Sequence, residues 1–320
     1  MEIFGTQTCP RHGGPRRGDG ATIHAVSGPA YRVATVTAVS PVDAIASPGP
    51  RRGIVAVSRG PRRSTVTRAY AESPLKWLTP ATHGEAAWVF ASSYGGGLVG
   101  GDHLDVESDV GAGAAAFLST QASTKVYRST AGASTSLSAR VADGGLLVSL
   151  PDPVACFASS RYRQTQTFDV DASAGLVALD WMTSGRRGSG ERWAFDAYAS
   201  TTRLRIGGRL ALHDAVRLGA TDGDLAPRAG RIDVLALVVV AGARLAAEAA
   251  RVVAAVSAMP VERRAAVILS AGPLPGLALA PPGCVVRFAG EHVEDVRGAL
   301  RRLLDFVPGL VGDDPWARKW

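Results

Sequence analysis

The sequence predicts a mainly β protein, and three observations carry that expectation. Short runs of β-branched and aromatic residues recur roughly every ten residues, divided by glycine turns. From His103 to Val110, apolar Leu104, Val106 and Val110 alternate with His103, Asp105, Glu107 and Asp109, the period of a strand with one buried face. Glycine, alanine and valine dominate while aromatics make up only 6% of the chain, which suits closely layered strands. This rhythm alone allows a sandwich as readily as a solenoid, and no strict internal repeat is visible.

Residues 1–58 stand apart. Cys9-Pro10-Arg11-His12-Gly13-Gly14-Pro15-Arg16-Arg17-Gly18 is basic, turn-rich and without apolar period, and such a segment buries too little surface to offset its ordering entropy. A short strand at Val33–Val39 is fenced off by Pro41, Pro48 and Pro50. Residues 1–58 are therefore expected to be disordered or an upstream extension, and residues 59–320 a single domain. Strand-like sequence already begins at Ile54, Val55 and Val57 and continues through Thr65–Tyr70. Further strands are expected at Ala86–Ser92, Thr135–Val141, Leu146–Leu150, Tyr162–Val170 and Leu176–Trp181. Leu204-Arg205-Ile206, the Gly207-Gly208 turn and Leu210–Asp214 read as a hairpin. Strands at Ile232–Val240, Ala265–Leu269 and Val285–Phe288 follow. Two helices lie toward the C-terminal end. Ala243–Met259 is alanine-rich, and Glu291–Phe306 carries the stripe Val293, Val296, Leu300, Leu303, Leu304 before Pro308 ends it.

The most distinctive stretch is 92–129, with a glycine cluster at Gly95, Gly96, Gly97, Gly100 and Gly101, closed by Asp102. Gly95-x-Gly97-x-x-Gly100 matches the dinucleotide fingerprint in form, but a strand pattern follows it where the phosphate-binding helix should open. No Gly-Lys-Ser or Gly-Lys-Thr follows either. The cluster reads instead as a structural turn in which glycine supplies positive φ or close backbone approach.

SSYGGGLVGGD followed by GAGAAAFLSTQASTKVYRS resembles the signature of the urease accessory protein UreD (UreH) family. The similarity continues through Ser73-Pro74-Leu75, Leu150-Pro151-Asp152-Pro153, the Gly185–Glu191 turn and the tail Pro315–Trp320, and so spans roughly residues 60–320. It implies a β-helix-like stack of short strands with two α-helices toward the C-terminal half. It further implies a cytoplasmic, non-enzymatic chaperone of metallocentre assembly. Such a protein binds apo-urease, the accessory protein UreF and, through it, the GTPase UreG, and helps insert nickel into urease. No cofactor is expected to be tightly bound; nickel in transit would be cargo.

Charge and chemistry are consistent with that expectation. The formal net charge is +7, but much of the excess is local: Arg51, Arg52, Arg59, Arg62, Arg63 and Arg68 fall between Asp43 and Glu72 with no acid among them. Nucleic-acid binding through this segment is one alternative, and a solvated tail or transit-like feature the plainer one. Cys9, Cys156 and Cys284 are far apart and form no CxxC, which argues against a disulfide framework or thiolate zinc site and fits a reducing cytosol. Cys9, His12 and His24 are either metal ligands or incidental residues of a tail, and His83, His103 and His213 either transient nickel ligands or isolated surface histidines; no HxH or HExxH spacing marks a strong site. The longest apolar run, Val234–Ala243, is half a membrane span, so no membrane partner is expected.

Candidate residues are mostly carboxylates: Asp102, Asp152, Asp180, Glu191 and Asp214. Each either lines a polar interior, where it must be paired, hydrated or metal-bound, or accepts backbone N–H bonds in a turn. Asp180, among Leu176, Val177, Leu179 and Trp181, favours the interior. Thr124 and Lys125, with Tyr127 and Arg128, mark a solvent face or a partner-binding edge. The set Asp102, Thr124, Lys125, Asp180, Glu191 and Asp214 is thus the candidate partner surface or nickel path, with no catalytic residue among them. A carbohydrate-acting β-solenoid hydrolase would need two carboxylates facing each other in an aromatic-lined cleft; the low aromatic content disfavours it.

Overall fold

A computed structural model describes residues 49–262, 264–274 and 283–317. The basic segment 1–48, with Cys9, His12, His24 and the expected strand at Val33–Val39, lies outside the described residues, as does the tail Arg318–Trp320. The strands are β1 (Arg51–Arg59), β2 (Ser64–Ala71), β3 (Leu75–Leu78), β4 (Ala87–Ser93), β5 (His103–Val110), β6 (Ala115–Thr120), β7 (Thr124–Val126), β8 (Ala133–Val141), β9 (Leu146–Ser149), β10 (Val154–Cys156), β11 (Arg161–Val170), β12 (Gly175–Thr183), β13 (Ala197–Ile206) and β14 (Arg209–Gly219). A short helix α1 (Leu225–Ala229) leads to β15 (Val234–Ala241), α2 (Ala246–Ser257), β16 (Val267–Pro273), β17 (Gly283–Gly290), α3 (Val293–Leu303) and α4 (Val307–Val311).

The protein is mainly β, as the sequence predicts, and its centre winds like a β-helix. One sheet runs β14-β13-β11-β8-β5-β1-β2, and the other runs β16-β17-β15-β12-β9-β6-β4-β3. Strands β5, β8, β11 and β13 pair in parallel in the first sheet. Strands β4, β6, β9 and β12 do the same in the second. The chain alternates between the sheets, so each crossing adds one coil. A short third side is built by β7 and β10, which pair in parallel with each other, β10 also pairing in parallel with the end of β12. The repeat hidden in the sequence is this coil, which aligns His103 with Ser134 and Ser134 with Arg163. Antiparallel hairpins close the stack: β1–β2 at one end of the first sheet and β13–β14 at the other.

Two apolar layers hold the assembly. Between the sheets lie Val57, Val110, Val141, Phe168, Val170, Leu176, Leu204 and Val239, all nearly or fully inaccessible. Burying each such side chain stabilises by roughly 1.5–3 kcal/mol. The outer face of the second sheet presents Trp88, Phe117, Val148, Val177 and Val238 to the helices. Helix α3 answers with Val296, Ala299, Leu300 and Leu303 and, just past its end, Leu304, so four of the five stripe positions read from the sequence are buried in this layer; helix α2 answers with Ala249, Val252 and Val256. The indole N–H of Trp88 donates to the Val311 carbonyl at 3.1 Å and ties α4 to this layer.

Three expectations change. The boundary at residue 58 falls inside the sheet: β1 begins at Arg51 and pairs with both β2 and β5. Arg51, Arg52, Arg59 and Arg68 are consequently strand residues, with Arg52 bound to Glu107 at 2.8 Å and Arg59 to Glu85 at 2.7 Å, while Arg62 and Arg63 lie in the turn between β1 and β2. Pro308 opens the short α4 rather than closing the preceding helix, because proline is tolerated in a first turn where its missing N–H is not needed.

Candidate functional site

The parallel register of the first sheet lays its inward side chains in four rows. One is wholly apolar, Val57–Val110–Val141–Val170–Ile206, and one apolar but for Ser108, Val55–Ser108–Ala139–Phe168–Leu204. The next two change character along the stack. One runs Val106–Leu137–Gln166–Thr202–Asp214, the other Leu104–Thr135–Gln164–Ser200–Val216. In the first, Val106 and Leu137 give way to Gln166, Thr202 and Asp214; in the second, Leu104 gives way to Thr135, Gln164 and Ser200 before the exposed Val216.

Under these two rows lies a cavity of about 280 Å³ between the sheets. Leu104, Val106 and Trp77 wall one side, Gln164, Gln166 and Tyr162 the other, and Ser149, Asp152, Asp180 and Trp181 come from the second sheet and its edge. Residues 121–124, after β6, complete its rim.

Asp180 is the focus of the polar contacts. Thr135 and Tyr162 hydroxyls meet at 2.6 Å, the Tyr162 hydroxyl donates to Gln164 Oε1 at 3.1 Å, and Gln164 Nε2 donates to Asp180 Oδ1 at 2.8 Å. The Ser200 hydroxyl donates to Asp180 Oδ2. Two side-chain donors thus converge on one carboxylate within a largely apolar sandwich. Burial raises the Asp180 pKa; the Ser200 and Gln164 bonds oppose that shift, and Asp214 adds to it. Burial likewise holds the Tyr162 phenol above its usual range.

The glycine cluster is the third-side corner of the first coil. Leu98 N–H donates to the Lys125 carbonyl at 2.8 Å, and Tyr127 N–H donates to the Leu98 carbonyl at 2.9 Å, so the loop lies directly on β7. Gly95, Gly96 and Gly101 have positive φ. Gly97 is needed for a different reason: a Cβ there would sit 2.6 Å from the Lys125 carbonyl oxygen, inside any allowed contact. A Cβ at Gly100 would meet the Ser129 hydroxyl at 1.8 Å. The structural turn read from the sequence is the one observed.

The remaining candidates disperse. Asp102 is a turn carboxylate: its Oδ2 accepts the Val99 N–H at 2.8 Å, outside the cavity lining. Thr124 lines the cavity, while Lys125, next in β7, is exposed. Glu191 belongs to the corner of the last coil. There it pairs with Arg186, whose guanidinium stacks 4.2 Å from the Phe157 ring centroid, and accepts the Ala158 N–H at 3.0 Å. The Arg186 guanidinium holds the Glu191 carboxyl below its usual range. Asp152 is buried, its N–H bound to the Thr120 hydroxyl at 2.7 Å. Asp214 is one strand past Ser200 and pairs with Arg287. Of the set, Asp180 and Thr124 line the cavity and Asp214 stands beyond it on β14; Asp102 and Glu191 are held by local backbone and ion-pair geometry. Reading the sequence missed Gln164, Gln166 and Tyr162, which line the cavity with Asp180, and Arg287 as the partner of Asp214. The visible signal was that both faces of β11 are polar before Phe168.

Among the described residues no group of three or more His, Cys, Asp or Glu is arranged to hold a metal ion. Cys156 and Cys284 are free and buried, with burial pushing the Cys156 thiol up to about 12 and the Cys284 thiol to about 11. No helix among the described residues is long and apolar enough to cross a membrane.

Comparison with known proteins is consistent along the chain. The family model of the UreD urease accessory protein matches residues 52–320. Urease accessory protein UreD of Sorangium cellulosum is 52% identical over 268 residues, covering 84% of each chain. Urease accessory protein UreD of an Anaeromyxobacter species is 42% identical over 287 residues, 87% of this chain and 95% of the relative. Urease accessory protein D of Oryza sativa subsp. japonica is 39% identical over 211 residues, 64% and 68% of the two chains.

Proposed function

The chain belongs to the UreD urease accessory protein family and has its role in urease maturation; from that premise we propose that it helps nickel reach apo-urease through its own polar interior. It does so as a non-catalytic, cytoplasmic member of an assembly with UreF, UreG and the urease subunits. No cofactor stays bound to it, and nickel is its cargo.

The observation that carries this reading is Asp180 at the inner wall of the cavity, with two donors turned onto it. A desolvated carboxylate attracts a cation strongly, yet one carboxylate with hydroxyl and amide neighbours is a weak site by the measure of thiolate or clustered imidazole. Weak, oxygen-rich ligation suits a carrier that must release its ion. Burial raises the Asp180 pKa because its charge is poorly solvated; an arriving divalent cation compensates that charge, while a proton on the carboxylate competes with the cation. Thr124 and the exposed Lys125 lie where the rim meets β7, so a partner seated there would cover the opening.

The hydrolase alternative is not supported. Asp152 is buried, and both carboxylate oxygens of the half-buried Asp180 already accept bonds from Gln164 and Ser200. The arginines from Arg51 to Arg68 on which the nucleic-acid alternative rests stand in the paired β1–β2 hairpin, two of them ion-paired.

The test is co-purification. Tagged full-length protein should capture UreF, UreG and apo-urease from a urease-producing cell. A strain lacking the protein should make urease without nickel, restored by the wild-type gene. Capture of none of these proteins, or nickel-replete urease in the deletion strain, would overturn the assignment.

A further inference from the structure

The polar interior does not end at the cavity. One strand beyond Gln164 and Gln166, β13 turns Ser200 and Thr202 inward, and the next strand, β14, turns in Asp214. In the second sheet, Asp180, Leu237 and Arg287 stand in one transverse row across β12, β15 and β17. Arg287 therefore issues from the second sheet on the same face as Asp180 and reaches across the gap to Asp214 of the first. The Asp214 side chain is 14% exposed and the Arg287 side chain 48%, so this pair stands at the solvent edge of the sandwich. Between it and the cavity, the Thr202 hydroxyl is buried, 3% exposed as a residue, and has no hydrogen-bond partner. A buried hydroxyl is seldom left unpaired, because the lost bond costs about 1–3 kcal/mol.

We propose that Arg287 is a latch: its guanidinium occupies the place that a hydrated divalent cation takes beside Asp214 at the far end of the polar row. With the latch swung out, Asp214 and the Thr202 hydroxyl face the path with Asp180 behind them, an all-oxygen set for an ion in passage. Arginine fits the closed state because it stays charged at any physiological pH and its long stem can swing to solvent while the base of the strand remains paired. The closed pair keeps Asp214 from standing as an uncompensated charge when no ion is present. The inference rests on the nickel-path reading above and adds to it an outlet and a residue that closes it.

Calorimetric titration of the full-length protein with Ni²⁺ at neutral pH tests the latch. Arg287→Ala should bind Ni²⁺ at least about tenfold more tightly than wild type, since the competing cation is gone and the Asp214 charge is left open. Adding Asp214→Asn should cancel the gain. Arg287→Met keeps the aliphatic stem and should show the same gain; it replaces the alanine variant if that one fails to fold. Unchanged affinity in the Arg287 variants, or a gain that survives Asp214→Asn, overturns the latch. Failure of the underlying reading looks different: Asp180→Asn would then leave the nickel content of urease complexes at the wild-type level, whatever the Arg287 variants do.

Discussion

The same strands of the first sheet carry two chemistries, divided at mid-length. Toward their C-terminal ends, β5, β8, β11 and β13 turn in Val110, Val141, Val170 and Ile206, and beside them Ala139, Phe168 and Leu204. Toward their N-terminal ends, the later coils turn in Gln164, Gln166, Ser200 and Thr202, and a cavity opens. The backbone is equally paired in both halves, so hydrogen bonding between strands cannot explain the contrast. Side-chain burial stabilises the apolar half. The polar half gives up part of that stabilisation for a carboxylate, a row of hydroxyls and amides, and open volume. A sandwich selected for stability alone would have filled the polar half with valine; retaining Asp180 there is intelligible if an ion must pass.

If the division is right, damage to the two halves should look different. The largest effect is expected in the apolar half. Phe168 is 1% exposed, and Phe168→Ala should cost about 3–5 kcal/mol through lost burial and a residual cavity. Denaturant titration would measure this, and urease activation should fall only in proportion to folded protein. Next comes the corner that supports the cavity rim. Gly97→Val pushes a side chain into the Lys125 carbonyl and should cost about 1–3 kcal/mol, read as a lower thermal midpoint.

In the polar half the sign reverses. The Asp180 pKa is raised above its ordinary value of 3.8, so its contribution to stability is fully present below that value and is lost as pH rises through the raised one. At neutral pH the ionised group is a liability. Asp180→Asn should therefore leave the thermal midpoint unchanged or raise it, by about 2–4 °C for each kcal/mol recovered, and should flatten the dependence on pH. A marked drop in the midpoint would show Asp180 to be a structural residue. The smallest effect is expected at Glu191→Gln, on the outer corner. Arg186 depresses the Glu191 carboxyl, so the pair stabilises above the ordinary value of 4.5 and weakens as pH falls through the depressed one. For a partly exposed pair the loss should stay below about 1 kcal/mol by thermal denaturation, with nickel per urease complex unaltered.

What the sequence revealed follows the same division. The strands, the β13–β14 hairpin and the α3 stripe were legible because apolar period and glycine turns encode them locally. Asp180 was legible because a carboxylate inside Leu176–Trp181 breaks a run that should be apolar. The coil repeat was not legible: equivalent positions hold Leu104, Thr135, Gln164 and Ser200, which share no residue type. Asp102, after two glycines and without such a run, left both readings open; it caps a turn at Val99, while Asp180 lies between the sheets. Arg287, in Val285-Val286-Arg287-Phe288, reads as an ordinary outward residue of an edge-side strand. Its partner Asp214 lies 73 residues away, a distance no local pattern spans.

The most direct test compares nickel per assembled urease complex for one variant from each half. Asp180→Asn and Phe168→Leu would each replace the wild type in a urease-producing cell, and complexes recovered by pull-down would be weighed against nickel by elemental analysis on the same samples. The account predicts that Phe168→Leu lowers the amount of complex but not its nickel ratio. Asp180→Asn should leave the amount of complex unchanged and lower the ratio. Equal nickel ratios in the two variants and the wild type would contradict it and leave the interior of the protein as scaffold throughout.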